Sequence, residues 1–263
     1  MNATLHIQTT GKGPDLVMLH GWGMHAGVWR MISTTLAGNF RVHTVDLPGH
    51  GQSRQPEMMA TLERWGELVA ESVIPRLSGP ACWLGWSLGG MLALQLAHAY
   101  SEQVRRLLLV ATSLRFCQAD DWPDAVTPSV LEGFANNLQQ DHHGTLQRFL
   151  ALQVTGDSQA RQTLKELKQR ILEQPEPDPA ALQTGLDILR KADLRSLATE
   201  LEQPVLLIGG EKDRLVSPDA LHNVAALLSR CQLAIIPAAG HAPFISQPEA
   251  FIKLVKAYCE QNG

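Results

Sequence analysis

Six short apolar runs, set apart by longer stretches of helical pattern, limit what this chain can fold into. They span residues 15–19, 41–45, 81–84, 106–111, 205–208 and 233–236. Helix-like stretches over 61–77 and 219–228 separate several of them. Strand and helix in alternation predict an α/β fold with a mainly parallel central sheet flanked by helices. Residues 4–9 alternate polar and apolar side chains, the pattern of an antiparallel edge strand covered on one face.

The strand signal stops between 113 and 191. Helical patterns replace it, punctuated by Trp122-Pro123-Asp124 and by the Pro-rich run 175–179. So long a strand-free stretch inside an alternating chain reads as a helical insertion and not as a loop. It predicts a cap over 113–191, lying on the sheet edge where loops gather, with residues 1–112 and 192–263 forming the core.

Composition narrows the partners. A chain of 263 residues, 44% hydrophobic and 18% charged, can bury one large core. A net charge of −4 gives no general case for nucleic-acid binding, which needs a basic face. The first residues lack the basic and apolar regions of a signal peptide, and no apolar run of about 18 residues appears. These features predict a cytoplasmic, monomeric protein that engages neither membrane nor nucleic acid. Cys82, Cys117, Cys231 and Cys259 show no Cys-x-x-Cys spacing, so neither a zinc site nor a disulfide framework is expected and the thiols are read as reduced. Gly11-Lys12-Gly13 lacks the phosphate-loop pattern. Adjacent His142 and His143 lack the spacing that puts two imidazoles on one helix face, so no metal or other cofactor is expected.

The chemistry concentrates on Ala-Cys-Trp-Leu-Gly-Trp-Ser-Leu-Gly-Gly, residues 81–90. Ser87 occupies a strand-to-helix turn between Gly85 and Gly89, the Gly-x-Ser-x-Gly pattern of a nucleophile elbow. A serine hydroxyl is a weak nucleophile; it needs a base for its proton and donors for the oxyanion that forms. Triad partners should follow in the order serine, acid, histidine. Asp213 comes just after the run 205–208, and His241 just after 233–236, each at the carboxyl end of its strand. The loop His20-Gly21-Trp22-Gly23 follows an early strand, so the backbone N–H groups of Trp22 and Leu88 are the expected oxyanion donors. The plainer reading of Ser87 is a turn residue. Asp46 precedes Ser87 and breaks the expected order, which favours a role in shaping the turn Pro48-Gly49-His50-Gly51. Cys82, on the strand before the elbow, reads as packing.

Taken in order, His20–Gly23, Asp46–Ser53, Gly85–Gly89, the Asp213 loop and the His241 loop identify the chain as a member of the α/β-hydrolase superfamily, end to end apart from a variable cap. A closer resemblance rests on Gly-Trp-Ser-Leu-Gly-Gly at the elbow, Trp122-Pro123, Arg148-Phe-Leu-Ala-Leu-Gln153 and Ala239-Gly-His-Ala-Pro-Phe-Ile-Ser-Gln-Pro248. These resemble the pimeloyl-[acyl-carrier protein] methyl ester esterases of biotin synthesis. The match runs through the cap, where hydrolases diverge. Tyr100-Ser101-Glu102 departs from the His-Pro-Glu often found there in the family, at a position remote from the triad.

That resemblance implies a serine carboxylesterase that frees pimeloyl-carrier protein and methanol, with an acyl carrier protein as partner. Residues 142–172 hold five basic and two acidic side chains, a net of +3 that leaves −7 for the rest of the chain. A basic cap on an acidic body suits an acidic partner. Arg148, Arg161 and Lys165 are the expected docking residues, and Arg161, Lys165 and Lys168 share one face of a helix. The alternative for these charges is a solvated helix face. Trp86 and Phe149 are candidate apolar walls for the pimeloyl methylenes, or else core packing. A general short-chain carboxylesterase, a C–C bond hydrolase or enol-lactonase, and a non-catalytic ligand receptor of the same fold remain open.

Overall fold

In a computed structural model describing residues 5–54 and 61–261, seven strands form one sheet in the order β1-β3-β2-β4-β5-β6-β7. They are β1 (Ile7–Thr10), β2 (Asp15–Leu19), β3 (Arg41–Val45), β4 (Ala81–Trp86), β5 (Val104–Val110), β6 (Val205–Gly210) and β7 (Cys231–Ile236). β1 runs antiparallel to β3, and every other neighbouring pair is parallel. Every residue of β2, β4 and β6 is buried, as unbroken apolar runs require, whereas β1 and β7 at the two edges are partly exposed. Thr4 of the expected edge strand, and residues 1–4, 55–60 and 262–263 of the expected core, lie outside the described residues.

Eleven α-helices accompany the sheet among the described residues: α1 (Arg30–Leu36), α2 (Leu62–Val73), α3 (Leu88–Ala99), α4 (Pro128–Leu138), α5 (His142–Gln153), α6 (Ala160–Ile171), α7 (Pro179–Lys191), α8 (Arg195–Thr199), α9 (Pro218–Leu227), α10 (Pro243–Ser246) and α11 (Pro248–Cys259). The Thr61 side chain caps α2 by accepting from the Arg64 N–H at 3.2 Å. The pattern over 61–77 does not form one helix. Pro75 cannot continue an α-helix, so α2 stops at Val73 and a 3₁₀ turn covers Ile74–Arg76. α3 is buried from Leu88 to Ala97 because the sheet lies on one side of it and α2 on the other.

α4 to α7 fall between β5 and β6. The described residues of that stretch form no strand, only isolated bridges pairing Cys117 with Val126 and Ala119 with Trp122. Because the sheet is mainly parallel, the loops after β2, β4, β6 and β7 gather at one edge. Hydrogen bonds tie α5, α7 and the turn after α5 to that edge, among them His241 N–H to the Gln153 carbonyl (3.0 Å), Ser158 N–H and Oγ to the Ala238 carbonyl (3.1 and 3.0 Å) and Trp22 Nε1–H to the Leu182 carbonyl (2.8 Å). Among the described residues no helix is long and apolar enough to cross a membrane.

Close approach explains why glycine occupies position 89 in the first turn of α3. A Cβ there would sit 2.5 Å from the His20 carbonyl oxygen and 2.6 Å from that of Leu19, both backbone atoms. Alanine normally gains up to about 1 kcal/mol over glycine in a helix. Here the clash outweighs that gain, and Gly89→Ala is expected to destabilise the fold by about 2 kcal/mol or more. Chemical denaturation checks this: a midpoint at or above that of the parent chain contradicts the packing argument.

Candidate active site

Ser87 stands between the last residue of β4 and the first of α3 with φ 55° and ψ −116°, a conformation that side-chain-bearing residues rarely adopt. Such a residue costs about 1–3 kcal/mol and persists only where its surroundings hold it. They do so from both sides. Its N–H donates to the Val110 carbonyl of β5 at 2.9 Å, and its carbonyl accepts from the Gly90 and Met91 N–H groups and from Thr112 Oγ1. A chain anchored through both peptide groups turns sharply and sets the hydroxyl at the strand-helix junction.

Asp213 and His241 arrive from two neighbouring strands. Asp213, in the turn after β6, accepts at Oδ1 from the Leu215 and Val216 N–H groups (2.8 and 3.0 Å) and at Oδ2 from His241 Nδ1 (2.8 Å). A carboxylate accepting on both oxygens places the imidazole proton on Nδ1 and leaves the lone pair on Nε2. The backbone of His241 is fixed as well. Its N–H donates to Gln153, and its carbonyl accepts from Trp86 Nε1 at 2.8 Å. Both side chains are almost completely withdrawn from solvent, at 1% and 0% exposure. His241 Nε2 is buried and has no hydrogen-bond partner among the described residues, so no bond joins it to Ser87 Oγ. Catalytic hydrogen bonds of this kind commonly tighten only with substrate.

The two expected oxyanion donors lie in the first turn of α3 and in the loop after β2. Neither the Trp22 nor the Leu88 backbone N–H donates to a protein acceptor among the described residues. For Leu88 this follows from position, since the first N–H groups of a helix have no acceptor within it. The Trp22 loop is braced by His20, whose Nε2 accepts from the Leu47 N–H at 3.0 Å and whose Nδ1 bonds to the Gly21 carbonyl at 2.8 Å. His50 lies beside it, with ring centroids 5.3 Å apart. Burial lowers the His50 imidazole to about 4 and pushes His20 well below its ordinary value, so both rings stay neutral near pH 7.

Phe149 of α5 meets the Trp22 ring edge-on at 4.7 Å, which brings an expected wall residue onto an expected donor residue. The Trp86 ring packs on the same loop, where a Cβ at Gly21 would lie 3.1 Å from it. It is fully buried among Trp29, Phe244 and the His241 ring, and its N–H is spent on the His241 carbonyl, so the structure shows it supporting the histidine loop. Asp46 does not approach His241. Its carboxylate accepts from the Ala26 and Gln52 N–H groups and bonds His6 Nδ1, tying three segments together.

Two contributors escaped the sequence reading. Gln153 gives His241 its backbone acceptor, and its side-chain Oε1 is buried with no partner among the described residues. The signal was available: Gln153 follows Phe149 by four residues, on the same helix face, as a polar side chain inside an apolar run. Phe244, packed on both Trp29 and Trp86, belongs to the Ala239–Pro248 stretch that carries the family resemblance, but its apolar character alone did not reveal this supporting position.

The expected docking residues lie on two helices. Arg161 and Lys165 are exposed on α6, one turn apart, and neither forms an ion pair among the described residues. Arg148 of α5 reaches Thr145 Oγ1 at 3.0 Å and Asp141 at 3.5 Å. It also lines an open groove with Val130, Phe134 and Leu152. His142 and His143 both pair with Glu176 at 3.1 Å.

A profile of the alpha/beta hydrolase family matches residues 16–254. The pimeloyl-[acyl-carrier protein] methyl ester esterase of Nitrosomonas europaea is 44% identical over 255 residues, covering 97% of this chain and 99% of that protein. The enzyme of the same name from Pectobacterium carotovorum subsp. carotovorum is 45% identical over 263 residues, covering 98% and 99%. Among solved structures, an esterase from Exiguobacterium antarcticum superposes with a TM-score of 0.89 at 20% identity, covering 99% of this chain and 98% of its own. The enol-lactonase of Burkholderia xenovorans LB400 gives 0.83 at 21% identity, covering 98% and 96%. At such identities the last two establish the shared fold alone.

Proposed function

The chain belongs to the alpha/beta hydrolase family and, within it, to the pimeloyl-[acyl-carrier protein] methyl ester esterases, and on that premise we propose that it hydrolyses the methyl ester of pimeloyl-[acyl-carrier protein] to the free acid and methanol. One observation carries the catalytic assignment: His241 is held at Nδ1 by Asp213 and along its backbone by Gln153 and by Trp86, the residue before Ser87, and its buried Nε2 has no partner among the described residues.

In this reading Ser87 Oγ attacks the ester carbonyl carbon as His241 Nε2 takes its proton. Asp213 holds the ring orientation and stabilises the imidazolium. The carbonyl oxygen becomes an oxyanion facing the Trp22 and Leu88 N–H groups; each such donor is worth about 10² to 10³ in turnover. Nε2 returns the proton to the methoxy group, methanol leaves, and an acyl-enzyme remains. Water then gives a proton to His241, its oxygen attacks the acyl carbon, and Ser87 regains its hydrogen as the free acid departs. The stretch 113–191 is read as the cap, with Phe149 an apolar surface near the acyl chain.

The carrier protein docks, in the same reading, on Arg148, Arg161 and Lys165. The free cations on α6 support it, since unpaired surface charges mainly steer and orient an oppositely charged partner. Arg161→Glu with Lys165→Glu is expected to raise KM for the carrier-linked ester about tenfold and to leave a butyrate ester unchanged. Equal effects on both substrates place the charges outside docking. The function itself is tested by methanol release and free-acid formation from the carrier-linked methyl ester against the butyrate comparator. Hydrolysis of the small ester alone leaves a serine esterase of different substrate.

A further inference from the structure

A second row of hydroxyl, imidazole and carboxylate crosses the β1 side of the sheet. Thr9 of β1 lies directly across from His43 of β3, with its Oγ1 2.9 Å from His43 Nδ1. His43 Nε2 is in turn 2.7 Å from Oδ1 of Asp15, the first residue of β2. The Trp22 loop follows the other end of β2, so the row ends at the edge of the sheet opposite the candidate active site.

The buried end sets the direction of the protons. Asp15 Oδ1 accepts from Arg41 Nε–H at 2.6 Å and Oδ2 from the Ser78 N–H at 2.7 Å. Burial disfavours a charge on Asp15, but the bonds from Ser78, His43 and Arg41 outweigh it and hold the carboxyl below its ordinary value. A carboxylate only accepts, so His43 Nε2 carries the ring proton and Nδ1 turns its lone pair to the Thr9 hydroxyl. Asp15 and His43 are buried, whereas Thr9 is exposed on an edge strand.

We propose that Thr9 is a nucleophile activated by His43 and Asp15, and that activated esters acylate it to a stable threonine ester. A threonine hydroxyl is weakly reactive alone; it gains reactivity from a base within hydrogen-bond reach that a third group orients. Its branched side chain has few rotamers, which keeps Oγ1 on the imidazole. Thr10 carries the same hydroxyl on the opposite face of β1, without that base. Because Thr9 stands on an open strand and not in a cleft, the acyl donor must bring its own good leaving group. Aryl esters meet that condition and alkyl esters do not.

The step balances. Thr9 Oγ1 bonds to the acyl carbon as its proton passes to His43 Nδ1; the bond from that carbon to the aryl oxygen breaks, and the aryloxide takes the proton and leaves as a phenol. No oxidant or reductant is involved. The His43 side chain is 1% exposed, so water reaches Nδ1 only past the acyl group, and the ester persists.

The test does not depend on Ser87. Folded full-length Ser87→Ala protein is treated with p-nitrophenyl acetate in mildly alkaline buffer, digested and mapped by mass spectrometry. Peptide 1–12 holds Thr9 and Thr10 together, so fragmentation compares them within one molecule. Acetylation of Thr9 is expected to run about a hundredfold faster than that of Thr10, the scale of general-base assistance. Hydroxylamine removes the label, which marks it as an ester and separates it from acetyl-lysine at Lys12. Thr9→Ser keeps the label, Thr9→Val loses it, and His43→Gln lowers it to the level of Thr10. Should His43→Gln fail to fold, the ratio of Thr9 to Thr10 in the Ser87→Ala protein decides alone. Equal acetylation of the two threonines overturns the proposal, as does full labelling of Thr9 in a folded His43→Gln protein.

Discussion

Ser87→Ala lowers kcat on the carrier-linked methyl ester by about 10⁴ to 10⁶ and leaves substrate binding nearly intact. The size of the drop follows from what remains. Trp22, Leu88 and His241 are still in place, so water attack on a well-held carbonyl supplies a residual rate above background. Binding is spared because the substitution removes one hydroxyl from a buried site, and the backbone clamp at Val110, Gly90 and Met91 uses no side-chain atom of residue 87. Turnover is read by methanol release and binding by titration with the carrier-linked ester. Activity within tenfold of the parent removes Ser87 from the chemistry.

Asp213→Asn is expected to cost about 10⁴ in kcat, the loss seen when the acid of a serine triad becomes an amide. Both oxygens of Asp213 are in use, Oδ1 for two N–H groups and Oδ2 for His241. An amide has one acceptor. If its oxygen serves Leu215 and Val216, its NH₂ faces Nδ1 and drives the ring proton to Nε2, where it blocks uptake of the serine proton. If the amide flips, two buried backbone donors lose their acceptor, at about 1–3 kcal/mol each. The first arrangement lowers kcat with an intact melting temperature; the second lowers both. Steady-state kinetics with thermal melts separates them, and unaltered kcat in a folded variant rules Asp213 out as the orienting acid.

Much of this architecture was legible because unbroken apolar runs occur where strands are covered on both faces. The runs 15–19 and 41–45 coincide with β2 and β3. β6 was seen too short. Its last residues, Gly209 and Gly210, carry no strand signal, yet a Cβ at Gly210 would strike the Ala239 and Gly240 carbonyls, so glycine there lets the His241 loop lie close. Pro75 was legible in principle and was overridden by the apolar pattern around it. At the candidate site, residues fixed by local motif could be named, because a sharp turn leaves its signature within five positions. Trp86 and Gln153 act on His241 across 155 and 88 positions of chain, through a ring nitrogen and a backbone oxygen; the local pattern marks Gln153 as an unusual buried polar residue but does not encode its partner.

The hydrogen bond from Trp86 to the His241 carbonyl has a mechanical consequence. Trp86 is the residue directly before Ser87, so β4 both carries the hydroxyl and grips the segment bearing the imidazole. A thermal displacement of that strand moves the two groups together. Their errors of position are correlated, and the gap a proton must cross varies less than the location of either atom.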